Sequence, residues 1–422
     1  MNLLLKSSIV NHQSSITITG SKSETNRLLL LQALYPNIVL ENTSNSDDSV
    51  IMQKALELIS QPETHNPKRI DVHHAGTAMR FLTAYFAVQD GKEIVLTGSS
   101  RMKERPIKIL VEALRQLGAE ITYEENEGFP PIRIKGKKLT QNKVSLGANV
   151  SSQYISALIL IAPKLENGIE LTLEGEITSI PYIKMTLALL NEIGVETSFV
   201  EDKVTVKPLV TLSAVEGPYP LSLIVESDWT SASYYYSIVA LSEIGTKITL
   251  SSYKKNSLQG DSVLATIYQD FGVETVFNDN QSITISKINI KNQKSLLFNL
   301  QSSPDIVQTI VVTCFGLGIG CHLTGLHTLK IKETDRLEAL KNELTKLGAT
   351  ITVTKDSLTL EPSEVIHSNI KIKTYQDHRM AMAFAPLVLK STIIIEEAEV
   401  VSKSYPTFWD DLKKIGFIVE EI

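Results

Sequence analysis

One pattern of apolar and polar positions recurs along the chain. Apolar residues at i, i+3, i+4 and i+7 outline an amphipathic helix, a glycine follows, and a short alternating segment rich in β-branched residues comes next. The clearest copies contain Gly118, Gly194, Gly272, Gly348 and Gly416, which are 76, 78, 76 and 68 residues apart. We expect each glycine to take the left-handed conformation that ends a helix, and each following segment to form strands of a hairpin.

The near-constant spacing predicts an α/β protein built from repeated units. A weaker copy without the glycine, IMQKALELIS, lies upstream, so that six units of about 70 residues would fill the chain. Helix–glycine–strand sequences also occur in unrelated α/β proteins, and only the regular spacing favours a repeat. A domain seam is expected within residues 218–233, and the first strand is expected to belong with the C-terminal half. The predicted domains are residues 20–227, and residues 1–19 with 228–422.

Composition is that of an ordinary globular protein. The chain has 422 residues, too many for one core, with 43% apolar and 21% charged residues. No uninterrupted run of about 18 apolar residues predicts a transmembrane helix, and the first residues are typical of a strand rather than a signal peptide. The two cysteines, Cys314 and Cys321, provide neither a disulfide framework nor a metal-ligand spacing, so a cytoplasmic setting is expected.

The net charge is −6, from 41 basic and 47 acidic residues. Proteins that bind nucleic acid usually carry a basic excess, so we expect no nucleic-acid partner. An anionic ligand would have to be held by a local cluster of cations. Cations at predicted helix starts carry the candidate chemistry, because free N–H groups and the helix dipole also attract anions there.

Two such segments lie near the N-terminus. Gly20–Arg27, with the sequence GSKSETNR, precedes an apolar helix that Ser21 or Ser23 could cap. In the segment HAGTAMR, Gly76 would let a ligand approach the backbone closely. Arg80 in the same segment would either contact a ligand or form a buried pair with a carboxylate.

Three further segments of the first half offer ligand-binding groups. The segment RMKERPI, which contains Arg105, places four charges before a helix start, although such runs are often only solvated faces. Ser151 and Ser152 open a helix with Gln153, and Ser179 opens another. Each serine could be a simple helix cap or a hydroxyl that binds a ligand.

The second half contains KETDR and DHRMAM. If KETDR is helical, Lys332 and Arg336 share a face, and Glu333 lies beside Arg336. A carboxylate between two cations usually stays ionised. Proton donation to carbon would instead require Glu333 to take up a proton, and this conflict makes Glu333 a candidate acid–base group. A structural ion-pair network is the other interpretation. In DHRMAM, Asp377 can cap a helix of small residues, with Arg379 in its first turn.

Together these segments resemble the 5-enolpyruvylshikimate-3-phosphate synthase family of enolpyruvyl transferases, from Gly20 to Lys403. The resemblance is carried, in order, by GSKSxxNR, AGTAMR, RMKERPI, KETDR and DHRMAM. It implies an α/β fold of two similar globular domains, each of three repeated α/β units, with the active site in the cleft between them. It implies transfer of the enolpyruvyl group of phosphoenolpyruvate to the 5-hydroxyl of shikimate 3-phosphate, with phosphate release, through a tetrahedral intermediate. It implies no metal and no organic cofactor, and a monomer without a membrane partner.

The resemblance also implies roles for the matching residues. Shikimate 3-phosphate would be bound by Lys22, Ser23, Arg27, Ser151, Ser152, Gln153, Ser179, Asp305 and Lys332. Phosphoenolpyruvate would be bound by Lys22, Gly76, Arg105, Gln153, Arg336, Arg379 and Lys403. Asp305 would take the proton of the 5-hydroxyl and Glu333, with Lys22 assisting, would deliver one to the methylene carbon, because addition needs both a base and an acid. Which group acts in which half-reaction stays open.

Two positions depart from the family pattern. His74 stands where the family usually has an asparagine before AGT, and Thr328 stands where an asparagine often contacts the substrate. Both differences bear on affinity and leave the class of reaction unchanged.

Three alternatives make different demands on the sequence. UDP-N-acetylglucosamine enolpyruvyl transferases usually carry a reactive cysteine in the first half, whereas this chain has none before Cys314. A non-catalytic relative would lack Asp305, Glu333 or Lys22, and all three are present. A role like that of the RNA 3′-phosphate cyclases would need a basic face and an ATP site, which a net charge of −6 does not favour.

Overall fold

A computed structural model describes residues 1–7, 13–60, 67–148, 151–175, 177, 180–209, 220–289 and 294–422. Two compact units divide the chain. The N-terminal unit comprises Gly20–Val225, and the C-terminal unit comprises Met1–Thr19 and Glu226–Ile422. The domains predicted from the sequence have the same first boundary and place the second boundary two residues later, at 227.

The described residues contain thirteen α-helices. They are α1 Lys22–Leu34, α2 Asp47–Ser60, α3 Gly76–Ala87, α4 Ser100–Lys103, α5 Lys108–Gln116, α6 Ser152–Ile161, α7 Ile180–Glu192, α8 Trp229–Leu241, α9 Leu264–Ile267, α10 Val307–Leu317, α11 Arg336–Lys346, α12 His378–Phe384 and α13 Phe408–Lys414. None of these helices is both long enough and apolar enough to cross a membrane.

The same residues contain twenty-two strands. Strands β1–β11 are β1 Leu3–Ser7, β2 Gln13–Ile16, β3 Ile38–Glu41, β4 Lys68–Asp71, β5 Glu93–Thr97, β6 Glu120–Tyr123, β7 Ile132–Lys135, β8 Lys143–Gly147, β9 Ile169–Glu174, β10 Thr197–Val200 and β11 Lys203–Val206. Strands β12–β22 are β12 Leu221–Ile224, β13 Lys247–Leu250, β14 Val273–Phe277, β15 Ile283–Lys287, β16 Ser295–Asn299, β17 Gly320–Thr324, β18 Ile351–Val353, β19 Ser357–Leu360, β20 Ile370–Ile372, β21 Ile393–Ile395 and β22 Phe417–Glu421.

Five four-stranded sheets share one arrangement, a parallel pair followed by two antiparallel strands. Their strand orders are β4-β5-β7-β6 and β8-β9-β11-β10 in the N-terminal unit, and β2-β13-β15-β14, β16-β17-β19-β18 and β20-β21-β1-β22 in the C-terminal unit. The sixth sheet consists of the parallel pair β12 and β3. The repeat predicted from the spacing is thus confirmed, and the first strand lies in the C-terminal unit, where β1 pairs with β21 and β22.

Each parallel pair of strands belongs to a repeat whose first helix is buried. Helices α1, α3 and α6 pack on one another in the N-terminal unit, and α10 packs against both α8 and α12 in the C-terminal unit. All residues of α3 and all residues of α8 except Thr230 are buried, as expected for helices that are largely apolar on every side. The starts of α1, α3, α6 and α12 carry four of the predicted segments, whereas RMKERPI precedes α5 and KETDR precedes α11.

The helix-ending glycines adopt the predicted conformation. Gly118, Gly194, Gly272, Gly348 and Gly416 all have positive φ, between 72° and 105°. One copy of the pattern differs from the expectation of a regular helix. Before Gly272 the chain forms only the four-residue α9 and a 3-10 turn, Tyr268–Phe271.

Candidate active site

Arg336 is the centre of a charged cluster in the C-terminal unit. Its guanidinium donates to Asp377 Oδ2 at 2.7 Å, Asp305 Oδ1 at 3.0 Å and Glu333 Oε2 at 2.8 Å. The Arg336 side chain is only 2% exposed. Burial lowers the pKa of Arg336, but Asp377, Glu333 and Asp305 outweigh it and raise that pKa above its ordinary value. The arginine is therefore a permanent cation that three carboxylates share.

Asp305 connects Arg336 to two more cations. Its second oxygen, Oδ2, lies 3.1 Å from Arg379 Nη2, and its Oδ1 lies 3.7 Å from Lys332 Nζ. Arg379 also donates to the backbone carbonyl of Asp305 at 3.3 Å. The structure thus brings together five of the predicted site residues: Asp305, Lys332, Glu333, Arg336 and Arg379.

The local structure of KETDR differs from the helical expectation. Helix α11 begins only at Arg336, and Asp335 is its N-cap, accepting from the N–H groups of Leu337 and Glu338. Lys332 therefore does not share a helix face with Arg336. The predicted Glu333–Arg336 pair still forms, because the chain turns at the cap and keeps both side chains on the same side.

The three carboxylates of the cluster differ in their access to solvent. Glu333 is 37% exposed, whereas Asp305 is 12% exposed and Asp377 is fully buried. Asp377 caps α12 by accepting from the Arg379 N–H at 2.9 Å, as the sequence predicted. Asp377 therefore has a structural task, whereas Asp305 and Glu333 keep part of their surface accessible to solvent.

A further buried carboxylate, Asp261, was not identified from the sequence. It accepts a short hydrogen bond from Thr230 at the start of α8. Burial, and then the charge of Asp305, raise the pKa of Asp261 to about 7. No motif pointed to this residue, because its proximity to Asp305 arises from the packing of separate segments.

Lys403 lies at the end of a 3-10 helix, Ala398–Lys403. Its ammonium donates to the carbonyl of Gln376 at 2.8 Å, in the residue before Asp377. Lys403 is therefore linked through the backbone to the carboxylate that holds Arg336.

Among the predicted site residues of the N-terminal unit, Arg27 is the cation that makes the most hydrogen bonds. Its guanidinium donates to Thr186 Oγ1 at 2.7 Å, Ser156 Oγ at 2.9 Å and the Ser23 carbonyl at 2.6 Å. Burial lowers the pKa of Arg27 to about 10. Ser156 and Thr186, from α6 and α7, were not predicted, because hydroxyl residues inside apolar helices carry no motif.

Gly76 and Arg105 lie in direct contact. A methyl group added at Gly76 would lie 2.7 Å from Arg105 Nη1, so a larger residue there would require this guanidinium to move. Arg80 donates to the carbonyls of Gly76 and Pro106, at 3.1 and 3.3 Å, rather than pairing with a carboxylate. Burial, and then the neighbouring Arg105, lower the pKa of Arg80 to about 10. Two cations thus lie side by side at the start of α3.

The remaining predicted residues of this unit lie at helix starts. Lys22 begins α1, and no ion pair or hydrogen bond of its ammonium lies within the described part of the chain. Ser21 occupies the N-cap position, one of the two serines expected there, but its side chain makes no capping hydrogen bond. Ser151 caps α6, and Gln153 donates to Thr77 Oγ1 at 3.1 Å. Ser152 is the first residue of α6.

Two further predictions concern Ser179 and a metal site. Ser179 lies outside the described residues. Within the described ranges, no group of three or more His, Cys, Asp or Glu side chains is arranged to hold a metal ion.

Comparison with known proteins shows which family the chain resembles. Residues 7–412 match the family described as EPSP synthase (3-phosphoshikimate 1-carboxyvinyltransferase). The chain belongs to the EPSP synthase family. A 3-phosphoshikimate 1-carboxyvinyltransferase of Bacteroides fragilis (strain YCH46) is 45% identical over 416 residues, covering 96% of each chain. One of Actinobacillus pleuropneumoniae serotype 5b (strain L20) is 33% identical over 428 residues, again covering 96% of each chain.

The fold agrees with solved structures of the family. An EPSP synthase from Acinetobacter baumannii matches with a TM-score of 0.80 over the whole of both chains, at 20% sequence identity. The two-unit repeat fold and the membership in an enzyme family of transferases therefore agree with the expectations from the sequence.

Proposed function

We propose that this enzyme transfers the enolpyruvyl group of phosphoenolpyruvate to the 5-hydroxyl of shikimate 3-phosphate and releases phosphate. The observation that carries the proposal is the pair of carboxylates, Asp305 and Glu333, on the guanidinium of Arg336. Addition across the enol double bond needs a base at the attacking hydroxyl and an acid at the methylene carbon. Two carboxylates in one cluster, one buried and one accessible, meet this need.

The cations account for the substrates' charges. Phosphoenolpyruvate and shikimate 3-phosphate each carry a phosphate and a carboxylate, groups that arginine binds with two parallel hydrogen bonds. Arg336, Arg379, Lys403 and Arg105 are proposed for phosphoenolpyruvate, together with Lys22, Gly76 and Gln153. Lys22, Ser23, Arg27, Ser151, Ser152, Gln153, Ser179, Asp305 and Lys332 are proposed for shikimate 3-phosphate.

The contacts of Asp305 suggest how its basicity changes during the reaction. Three cations hold this carboxylate, which favours the ionised form and makes it a weak base. An anionic substrate that accepts hydrogen bonds from Arg336 and Arg379 would withdraw those donors from Asp305. The carboxylate would then become a stronger base at the moment when the acceptor hydroxyl must lose its proton.

Phosphate release from phosphoenolpyruvate tests the proposal. We expect release that requires shikimate 3-phosphate, and a product whose mass is that of the acceptor plus the enolpyruvyl group. Asp305→Asn and Glu333→Gln should each lower kcat by about 10² to 10⁴, the usual contribution of a positioned acid or base. Glu338→Gln is the matched control, because Glu338 lies in the first turn of α11 near the cluster, its carboxylate pairs with Lys341 alone among the described residues, and it is 47% exposed.

Three results would contradict the proposal. They are release without shikimate 3-phosphate, full activity of both variants, or release that requires UDP-N-acetylglucosamine instead. The last result would assign the enzyme to the other acceptor. We also propose a cytoplasmic monomer without nucleic-acid or membrane partners, as biosynthetic relatives imply, and gel filtration at micromolar concentration tests the monomer.

A further inference from the structure

Helix α11 contacts one segment of the chain at two points. Arg336 is its first residue and Glu343 follows seven residues later, so both side chains leave the same face of the helix, nearly two turns apart. That face packs against residues 373–377, which connect β20 to α12 and are called the β20–α12 link below. Arg336 binds the far end of the link through Asp377, at 2.7 Å.

Glu343 binds the near end of the link. Its Oε2 accepts from the backbone N–H of Lys373 at 3.0 Å, and its Oε1 accepts from the Tyr375 hydroxyl at 2.7 Å. The carboxylate is completely buried, and its remaining partner is Lys346, at 2.6 Å, whose side chain is 45% exposed. Both bonds to the link end on this buried carboxylate, whereas its third partner, the Lys346 ammonium, belongs to a side chain that reaches solvent.

The link has an unfavourable backbone conformation. Tyr375 and Gln376 are consecutive residues with positive φ, 55° and 56°, although both have a Cβ atom. Such a conformation persists only where surrounding contacts hold it. It directs the Gln376 carbonyl to the ammonium of Lys403, at 2.8 Å, and places Asp377 against Arg336.

We propose that Glu343 is a positioning residue for phosphoenolpyruvate binding. Glu343 holds the β20–α12 link in its strained form. The link in turn fixes the position of the Gln376 carbonyl, which orients Lys403, and of the Asp377 carboxylate, which orients Arg336. Glu343 itself need not touch a substrate. The inference rests on the proposed function, in which Arg336 and Lys403 bind phosphoenolpyruvate. It therefore predicts a loss that is larger for this substrate than for shikimate 3-phosphate.

Two variants test the role of Glu343. Glu343→Gln keeps the shape but turns an amide N–H₂ toward donors, so one bond to the link is lost. We expect it to raise KM for phosphoenolpyruvate by about tenfold or more, with KM for shikimate 3-phosphate changed by less than about threefold. Tyr375→Phe removes a single hydroxyl and should raise KM for phosphoenolpyruvate by a smaller factor, about threefold. Lys346→Met is the control, because it leaves both bonds to the link in place, and its KM values should match the wild type.

The outcomes separate this inference from the proposed function. If the wild type transfers the enolpyruvyl group but Glu343→Gln raises both KM values equally, or neither, the positioning role is wrong. If Glu343→Gln does not fold, as judged by circular dichroism, Tyr375→Phe decides in the same way. A wild type that releases no phosphate would contradict the proposed function, and the inference would fall with it.

Discussion

The two units hold the buried arginines of their motifs in opposite ways. In the C-terminal unit, Arg336 and Arg379 donate to carboxylates at 2.7 to 3.1 Å. In the N-terminal unit, Arg27 and Arg80 donate to hydroxyls and backbone carbonyls, and neither forms an ion pair with a carboxylate among the described residues. Carboxylates raise the pKa of Arg336, whereas burial lowers the pKa of Arg27 and Arg80 to about 10.

This difference separates two ways of preparing for an anionic ligand. A cation paired with a carboxylate is stable before the ligand arrives, and the ligand must compete with the carboxylate for its hydrogen bonds. A buried cation without an anion pays the cost of desolvation in the empty site and gains its counter-charge from the ligand. The C-terminal unit can therefore couple binding to the proton chemistry of its carboxylates, and the N-terminal unit can bind anions directly.

Removing Arg336 should have the largest effect on stability. Arg336→Met would leave Asp377 buried without this guanidinium and remove one of the cations of Asp305, and breaking one side of such a network costs about 3–5 kcal/mol. Urea unfolding at pH 7 measures this loss. Lys341→Met, which removes one partner of an exposed pair with Glu338, should cost less than about 1 kcal/mol. A loss below about 1 kcal/mol for Arg336→Met would show that the cluster is not a structural element.

The buried carboxylate of Asp261 should also make the free energy of unfolding depend on pH up to near neutrality. The pKa of Asp261 is raised from 3.8 to about 7 in the folded protein, so folding favours its protonated form. Its contribution to the free energy of unfolding is therefore fully present below about pH 4 and lost as the pH rises to about 7.

Asp261→Asn isolates this contribution. The asparagine oxygen can still accept from Thr230 but cannot titrate, so the stability of the wild type relative to the variant should fall by up to about 4 kcal/mol between pH 4 and pH 7. Urea unfolding across this window measures the difference. Asp410→Asn, at an exposed position paired with Lys413, serves as the control for the substitution itself. A flat difference for Asp261→Asn would contradict the raised pKa.

Removing Arg27 should have the smallest effect on stability. Arg27→Met relieves the burial of a cation, and the Ser156 and Thr186 hydroxyls stay bonded to each other at 2.9 Å. We expect the free energy of unfolding to change by less than about 1 kcal/mol, while KM for shikimate 3-phosphate rises. A stability loss as large as that of Arg336→Met would remove the contrast between the units.

Local patterns in the sequence predicted the features that a few neighbouring residues control. The glycines at 118, 194, 272, 348 and 416 end helices with positive φ because a residue without a Cβ takes that conformation at least cost. Asp377 caps a helix, since a short carboxylate next to a first helical turn finds free N–H groups. The helical start proposed at Lys332 was wrong because the stronger cap, Asp335, lies three residues later.

What the sequence by itself determined is the repeat, its helix starts and the motif residues, because these follow from spacing and from short-range backbone chemistry. The tertiary structure alone decided which distant groups meet. Arg336, Asp305 and Asp377 come from three separate segments, and Asp261 and Glu343 act on residues that lie far away along the chain. Such contacts depend on how helices and sheets pack, and the same side chains in a different packing would have other partners. The contrast between arginines that pair with carboxylates, as Arg336 does, and arginines that donate to hydroxyls and carbonyls, as Arg27 does, is therefore a property of the fold.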